Sequence, residues 1–331
     1  MESYHIEIVA LEAKFCPIPD FELPSPYTFD LVSYAETAQA DVPARVKNAT
    51  VVITTTMPLD AKALSPEVSP KLQHITVMAS GTDTIDLKAC KARGITVSNC
   101  GGANTAAVSE HAIGLYFAAR RKFVETQSAM QADEWMKRKT LIRILEDRDG
   151  KMPLTCVDEV MGMIGYGVIG QRIAELAQLL GMKVLVAERK GSVSCRKGRV
   201  PFEQVLRKST VLVVIIPRTS ETLNLISTRE LDAMKHSAVI VNVSRGGVVD
   251  EVALLKALQD GKIAGAGNDV FSTEPAGIEN NVLLGTGARN LNLTLTPHAA
   301  WLSNTTMENL QSIAKQNVEG FCQGTPINVV C

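Results

Sequence analysis

Apolar and polar residues follow one another along this chain in a pattern that predicts strands separated by helices. In the first hundred residues, β-rich apolar runs predict strands at Ile6–Leu11, Thr50–Thr55, His74–Met78 and Ile95–Ser98. Amphipathic stretches near Val42–Lys47 and Asp86–Arg93 predict helices, the second ended by Gly94. Because strands that alternate with helices form parallel sheets, we expect one here.

A second alternating series begins near Val160, after one long amphipathic helix predicted from about Thr105 to Met130. Its predicted strands are Met161–Ile164, Lys183–Ala187, Thr210–Ile215, Val239–Val243, Ala264–Asn268 and Leu291–Leu295. Its predicted helices are Gly170–Leu180, Phe202–Arg207, Thr228–Met234 and Asp250–Gln259, and a last helix is predicted near Met307–Phe321. This is most of a doubly wound α/β sheet.

Composition narrows the class of protein without naming a function. The 331 residues are 46% hydrophobic with a net charge of −1, which provides a sizeable core and no basic excess for nucleic acid. No apolar run reaches membrane-spanning length, and the N-terminus lacks the features of a signal peptide. Seven scattered cysteines without a CxxC pair predict reduced thiols, no metal site and a cytoplasmic location.

The sequence GYGVIG at residues 165–170 lies between a predicted strand and a predicted helix, the context of the dinucleotide-binding fingerprint. Gly165 permits a tight turn, Gly167 leaves room for a pyrophosphate, and Gly170 lets the helix pack closely on the strand. Amides at the start of the helix attract phosphates. We therefore expect a dinucleotide to bind here.

The acidic residue that completes this fingerprint is Glu188, at the end of the next predicted strand. A carboxylate at this place accepts hydrogen bonds from the adenosine ribose, which favours NAD. Arg189 and Lys190 follow at once, and cations there can hold the 2′-phosphate of NADP. The pattern favours NAD and leaves NADP open.

An arginine, a carboxylate and a histidine lie near the ends of predicted strands, where ligands of open α/β sheets bind: Arg245, Glu274 and His298. A guanidinium can bind a carboxylate bidentately and polarise a neighbouring carbonyl. An imidazole can act as general acid and base near neutral pH, and a carboxylate can orient it and stabilise its charged form. Structural roles, as a cap, a turn residue and a loop histidine respectively, stay open at this point.

Five long motifs occur in order: NTAAVSEHAIGL, MIGYGVIGQRIAELAQLLGMKV, ELDAMKHSAVIVNVSRGGVVDEVALLKAL, GAGNDVFSTEP and TPHAAW. With them the chain resembles the D-isomer-specific 2-hydroxyacid dehydrogenases over nearly its full length. AERKG and TPHAAW are most similar to the glycerate dehydrogenase and hydroxypyruvate reductase branch. Glu274 stands where formate dehydrogenases have glutamine, which argues against that branch.

The resemblance implies that Arg245 holds the substrate carboxylate and 2-oxo group, that His298 exchanges the proton, and that Glu274 supports His298. It also implies substrate contacts from Ser80, Gly81, Thr82 and Trp301. Beyond the glycines and the Glu188 region, the implied cofactor contacts are Thr105, Val168, Ile169, Ile216, Pro217, Val243, Asp269 and His298.

The resemblance further implies two Rossmann-like domains, each a doubly wound parallel sheet, with a cleft between them. The dinucleotide-binding domain is expected at 104–299 and the substrate-binding domain at 1–103 plus 300–331. A homodimer through the cofactor domain is expected by analogy. The implied reaction is reversible hydride transfer between NAD(P) and a small 2-oxo or 2-hydroxy acid such as hydroxypyruvate, glyoxylate or glycerate.

Two other function classes fit the same fold. An NAD(H)-sensing corepressor binds the dinucleotide and docks peptide partners, although this chain lacks the long disordered tails expected of such a protein. A phosphite or formate oxidoreductase is the third candidate. Oxidation of NADH with hydroxypyruvate and glyoxylate would distinguish the 2-hydroxyacid dehydrogenase from the NAD(H)-sensing corepressor.

Overall fold

A computed structural model describes residues 4–331, which divide into two compact units. The first comprises residues 4–104 with Leu302–Cys331, and the second is Thr105–Trp301. The strands are β1 Tyr4–Ala10, β2 Tyr27–Ser33, β3 Val51–Thr54, β4 His74–Val77, β5 Thr96–Asn99, β6 Val160–Ile164, β7 Lys183–Val186, β8 Val211–Val214, β9 Val239–Asn242, β10 Gly265–Asn268 and β11 Leu293–Leu295.

The helices alternate with these strands as the sequence pattern predicts. The α-helices are α1 Val42–Val46, α2 Leu87–Arg93, α3 Thr105–Arg120, α4 Phe123–Gln131, α5 Glu134–Arg138, α6 Ile142–Leu145, α7 Val168–Leu179, α8 Phe202–Lys208, α9 Thr228–Asp232, α10 Glu251–Gln259 and α11 Asn304–Cys322. Short 3-10 helices occupy Gln39–Asp41, Cys156–Asp158, Val282–Leu284 and Thr286–Ala288. Among the residues described, no helix is long and apolar enough to cross a membrane.

The first unit is built on a five-stranded parallel sheet of order β2-β1-β3-β4-β5. Its inner strands are buried on both faces, as expected for a parallel sheet. Helix α2 is well delimited, because the Asp86 side chain accepts a hydrogen bond from the Ala89 amide and Gly94 ends the helix at φ 69°. Strand β2, which the pattern did not predict, is an edge strand with mostly exposed residues.

The second unit is built on a six-stranded parallel sheet of order β11-β10-β9-β8-β6-β7. The chain runs from β6 outward to β7 and then returns to β8 on the other side of β6. Such a reversal opens a crevice at the carboxyl ends of the strands, where doubly wound folds bind ligands. The α/β class and the two parallel sheets expected from the sequence are thus confirmed.

The single helix predicted from Thr105 to Met130 is wrong. Helix α3 ends at Arg120, and α4 begins at Phe123 after Lys122 adopts a left-handed backbone with φ 49°. A left-handed residue interrupts the hydrogen-bond ladder of a right-handed helix, so α3 and α4 are separate helices. Apolar periodicity continues across the break, which is why the pattern alone does not reveal it.

Candidate active site

The glycine turn after β6 has the geometry of a phosphate cradle. Gly165 has φ 103°, and a Cβ added to it would lie 2.0 Å from the Ile215 carbonyl oxygen. A Cβ on Gly170 would lie 2.8 Å from the Gly165 carbonyl oxygen. A Cβ on Gly167 would meet nothing within 4 Å, and Gly167 caps α7 without a side-chain hydrogen bond. Two glycines are therefore required by packing, whereas Gly167 leaves open space before helix amides that suit a pyrophosphate.

The other predicted cofactor residues of the second unit lie around the same edge. Val168 is exposed and Ile169 half-buried at the start of α7, while Ile216 and Pro217 follow β8 and Val243 follows β9. Thr105 is the first residue of α3, and its carbonyl accepts a hydrogen bond from Ser109 Oγ. Except for Thr105, all of them follow a strand of this sheet, as the fingerprint expects.

The side chains of Glu188 and Lys190 are engaged by other groups of the protein. The Glu188 carboxylate, expected to face a ribose, is held by Arg196, with 2.6 Å between Arg196 Nη2 and Glu188 Oε1. Lys190 Nζ lies 2.9 Å from Glu230 Oε1 and donates to the Leu225 carbonyl, so it is bound to the protein instead of standing ready for a phosphate. The exposed Arg189 side chain makes no hydrogen bond or ion pair among residues 4–331.

His298 and Glu274 form a hydrogen-bonded pair at the carboxyl edge of the sheet. His298 Nδ1 lies 2.7 Å from Glu274 Oε2, and Glu274 Oε1 accepts a hydrogen bond from the Phe271 amide. About a third of each side chain is exposed, 38% for the histidine and 33% for the glutamate. The pair is therefore ordered by the protein and still open to a ligand.

The pKa of Glu274 reflects these neighbours. Burial raises its pKa, but the hydrogen bonds from His298 and from the Phe271 amide lower it by more. The positive charges of His298 and Arg245 lower it further, so the pKa lies below its ordinary value. Glu274 is therefore a carboxylate at neutral pH, as a group that stabilises an imidazolium must be.

Arg245 is brought to this pair by a close approach of two loops. A Cβ on Gly246 would lie 1.7 Å from the Phe271 carbonyl oxygen, so only glycine lets the loop after β9 touch the segment that carries Glu274. Arg245 is half-buried, and its Nη1 donates to the Ser244 carbonyl at 2.8 Å. The contact therefore brings the loop that carries Arg245 beside the segment that carries Glu274 and its partner His298.

Asp269 is an anchor for the histidine turn. Its fully buried carboxylate accepts hydrogen bonds from Thr296 Oγ1 at 2.5 Å and from the amides of Ala299 and Ala300 at 2.9 and 3.1 Å. Its main-chain carbonyl accepts from the His298 amide at 2.7 Å. These bonds hold His298 at φ 52°, a left-handed conformation that few L-residues adopt. The predicted contact of Asp269 with a nicotinamide stays a prediction.

His111 and Thr296 belong to this anchor and were not predicted as site residues. His111 Nε2 lies 2.9 Å from Thr296 Oγ1 and 3.5 Å from Asp269 Oδ1. His111 lies in α3 and is half-buried. The sequence signal that could have identified His111 is a polar ring within an otherwise apolar helix, because a buried polar ring needs a hydrogen-bond partner.

The remaining predicted residues are placed as follows. In the first unit, Ser80, Gly81 and Thr82 follow β4 and are half-buried; Ser80 Oγ donates to Asn104 Oδ1 at 3.0 Å. In the second unit, Trp301 is half-buried against the apolar core formed by α3 and the sheet. Both placements leave these side chains partly accessible, and their substrate contacts stay predictions.

Comparison with known proteins agrees with this geometry. Residues 113–300 match the model of the D-isomer specific 2-hydroxyacid dehydrogenase, NAD binding domain. The chain is 38% identical over 291 residues to a glycerate dehydrogenase of Methylorubrum extorquens, covering 88% of each protein. It is 33% identical over 321 residues to a putative 2-hydroxyacid dehydrogenase of Haemophilus influenzae, covering 96% of this chain and 98% of that protein.

Solved structures give the same result. The crystal structure of an NADPH-dependent glyoxylate/hydroxypyruvate reductase from Sinorhizobium meliloti, in complex with NADP and malonate, superposes with a TM-score of 0.78. The identity is 26%, over 98% of this chain and 97% of that one.

Proposed function

Because this chain belongs to the D-isomer specific 2-hydroxyacid dehydrogenase family, we propose that it catalyses NAD(P)-dependent interconversion of small 2-oxo and 2-hydroxy acids. Hydroxypyruvate, glyoxylate and glycerate are the proposed substrate class, supported by relatives named glycerate dehydrogenase, glyoxylate reductase and hydroxypyruvate reductase. The observation that carries the proposal is the 2.7 Å pair of His298 and Glu274, beside which the close contact at Gly246 holds the loop of Arg245.

The roles of the three residues follow from their geometry. Glu274 engages Nδ1 of His298, and within residues 4–331 the Nε2 atom makes no hydrogen bond, so Nε2 is the atom that gives its proton to the substrate oxygen. Arg245 binds the substrate carboxylate and, with the imidazolium, stabilises the negative charge that develops on the 2-oxygen. A nicotinamide dinucleotide, when bound, would supply the hydride for C2.

The dinucleotide is proposed to bind along the carboxyl edge of the six-stranded sheet. The open space at Gly167 and the amides at the start of α7 suit the pyrophosphate. The proposed contacts of Ile216, Pro217 and Val243 are consistent with their places after β8 and β9. A role for Ser80, Gly81 and Thr82 in binding the substrate carboxylate remains a proposal from sequence resemblance.

A substrate screen tests the proposal. Oxidation of NADH and of NADPH is followed by absorbance with hydroxypyruvate, glyoxylate and other small 2-oxo acids, with a reaction lacking oxo acid as control. We expect substrate-dependent oxidation with at least one of them. Dinucleotide binding without oxidation by any oxo acid would favour an NAD(H)-sensing protein, and reduction of NAD(P) by phosphite or formate would indicate the third class.

A homodimer and a cytoplasmic location are also proposed. Large apolar side chains are exposed on the segment between α3 and β6: Phe123 56%, Trp135 54%, Met136 76%, Ile142 53% and Val157 67%. A surface so rich in exposed apolar groups favours association with another protein surface. Light scattering at several concentrations tests the dimer, which a constant mass of one chain would contradict. The location is supported by seven cysteines that are all free.

A further inference from the structure

The end of β7 contains an ion pair that changes what this part of a dinucleotide site can bind. Arg196 donates to Glu188 three times through its side chain, with Nη2–Oε1 at 2.6 Å, Nε–Oε2 at 2.9 Å and Nε–Oε1 at 3.2 Å. The main-chain amides of Arg196 and Arg189 each donate to the same carboxylate at 2.9 Å. Five hydrogen bonds therefore reach one carboxylate from the chain itself.

This arrangement removes Glu188 as a ligand for ribose hydroxyls. A carboxylate offers about four lone-pair sites, and four protein donors, which make the five hydrogen bonds, already engage them. The side chain of Glu188 is only 4% exposed, whereas that of Arg196 is 59% exposed. The hydrogen bonds from Arg196 hold the pKa of Glu188 far below its ordinary range, so the ion pair persists at any physiological pH.

The group presented at this place is therefore cationic. Arg196 Nη1 makes no hydrogen bond within the part of the chain that the structure describes, and the Arg196 side chain is 59% exposed. Arg189 is exposed beside Glu188. Arg199 donates to the Ala187 carbonyl at 3.2 Å and lies over the Tyr166 ring, with its guanidinium carbon 5.1 Å from the ring centroid.

Arg199 connects these cations to the phosphate cradle, because Tyr166 belongs to the glycine turn. The guanidinium groups of Arg196 and Arg199 thus lie at the end of β7, and the exposed Arg189 follows the ion-paired Glu188 directly in sequence. The segment that carries them returns to the strand, since Val200 forms a parallel bridge with Ala187. A phosphate ester carries about −1.5 to −2 charges near neutral pH and is bound well by arginine.

We propose that Arg196, with Arg189 and Arg199, binds the 2′-phosphate of an NADP-type dinucleotide, and that Glu188 orients Arg196 instead of binding a ribose. The inference rests on the proposed function and specifies its cofactor as NADPH. It reverses the preference for NAD that Glu188 suggests from the sequence alone. The preference is reversed because Glu188 is paired with Arg196, eight residues further along the chain.

A binding experiment without catalysis tests the proposal. Adenosine 2′,5′-bisphosphate and adenosine 5′-monophosphate are titrated into the purified protein by calorimetry. We expect the bisphosphate to bind about 10- to 100-fold more tightly, as charge-assisted bonds to one phosphate contribute. Equal affinities, or tighter binding of the monophosphate, would overturn the inference.

The variants Arg196→Ala and Lys197→Ala form a matched pair. Both remove one exposed positive charge from the same segment, and the Lys197 side chain makes no hydrogen bond or ion pair among residues 4–331. We expect Arg196→Ala to abolish the preference for the bisphosphate and Lys197→Ala to retain it within about threefold. Equal losses in both would mean general attraction of anions and would contradict a specific site.

Kinetics with hydroxypyruvate separate this inference from the proposed function. We expect a higher kcat/KM with NADPH than with NADH, and we expect Arg196→Ala to lower the value for NADPH while that for NADH is kept or rises. Robust activity with NADH in preference to NADPH would overturn the cofactor assignment and leave the reaction intact. Absence of oxo-acid reduction with both cofactors would instead contradict the proposed function, while the titration still decides the phosphate site.

Discussion

The two edges of the six-stranded sheet use charged residues in opposite ways. At the amino edge, Arg120 is 6% exposed and lies 2.6 Å from Glu159, which precedes β6. Its other donors reach the carbonyls of Thr210 and Ser237, which precede β8 and β9, both at 2.8 Å. One arginine thereby joins the starts of three strands.

At the carboxyl edge the charged residues stay accessible. His298 and Glu274 are each about one-third exposed, and the pair contacts solvent beside the half-buried Arg245. The two networks have similar chemistry and differ in burial. A closed network contributes to holding the strands in register, whereas an accessible one keeps donors and charges for a ligand.

The largest expected effect is on turnover at the carboxyl edge. Replacing His298 by asparagine removes the proton donor but suits the left-handed backbone at φ 52°. We expect kcat for hydroxypyruvate reduction to fall about 10²- to 10⁴-fold, with an unchanged melting temperature. Stopped-flow rates and thermal unfolding check this, and near wild-type turnover would remove His298 from the proton transfer.

The amino edge should respond in stability instead. In Arg120→Met the Glu159 carboxylate stays buried without its cation, so we expect a loss of about 3–5 kcal/mol in the free energy of unfolding. Arg121→Met is the control, because that side chain makes no ion pair within residues 4–331, and should cost about 0.5 kcal/mol or less. Urea unfolding measures both, and equal effects would contradict the structural role of Arg120.

Arg245 should affect substrate binding more than cofactor binding. We expect Arg245→Ala to raise KM for the oxo acid about 10- to 100-fold, because a charge-assisted contact is lost. Arg245→Lys keeps the charge but not the two-pronged geometry, so it should recover part of the loss. Steady-state kinetics at saturating dinucleotide measure this. An unaltered KM in both variants would exclude a carboxylate contact.

A closed network also occurs in the first unit. The buried Glu12 carboxylate accepts hydrogen bonds from Thr54, from the amide and hydroxyl of Thr56, and from the amides of Thr55 and Met57. Burial raises its pKa, but these bonds lower it by more, so the net pKa is below its ordinary value.

We expect Glu12→Gln to lose about 1–3 kcal/mol of unfolding free energy at pH 7, since an amide nitrogen meets donors. A carboxyl whose pKa is lowered in the folded state stabilises the fold at pH values above its pKa in the unfolded chain, which is about 4.3 for a glutamate. The difference in unfolding free energy between the wild type and Glu12→Gln should therefore shrink as the pH falls below that value. Urea unfolding from pH 7 to pH 3 checks the sign. A difference that grows toward acid would contradict the assigned direction.

The smallest effect concerns the accessible pair itself. Glu274→Gln keeps a hydrogen bond to His298 Nδ1 and removes the negative charge that stabilises the imidazolium. We therefore expect kcat for hydroxypyruvate reduction to fall about 10-fold or less, because the charged donor loses part of its electrostatic support. Steady-state kinetics measure this, and an unchanged or higher kcat would contradict the supporting role of the carboxylate.

The features of the fold and of the candidate site that could be predicted from the sequence are those that depend on a local pattern of residues. The glycines at 165, 167 and 170 and most strands follow from periodicity and spacing over a few residues. Arg245, Glu274 and His298 were predicted because strand ends of one parallel sheet share an edge. These predictions need only the order of the elements, which the sequence provides.

Contacts that depend on how loops return could not be predicted. The pairing of Arg196 with Glu188 requires the fold of the intervening segment, and the network of His111, Thr296 and Asp269 joins three separate elements. The break at Lys122 was missed because the apolar periodicity continues across it. Strand β2 was missed because its mostly exposed residues give no strong apolar pattern.

The close contact of Gly246 with the Phe271 carbonyl has a consequence for protein engineering. Libraries that aim at longer or bulkier oxo acids can vary many neighbouring residues, but position 246 tolerates no side chain without separating two loops. A substitution at this position would alter the spacing between Arg245 and the pair of His298 and Glu274. Saturation of the surrounding positions should therefore leave this glycine untouched.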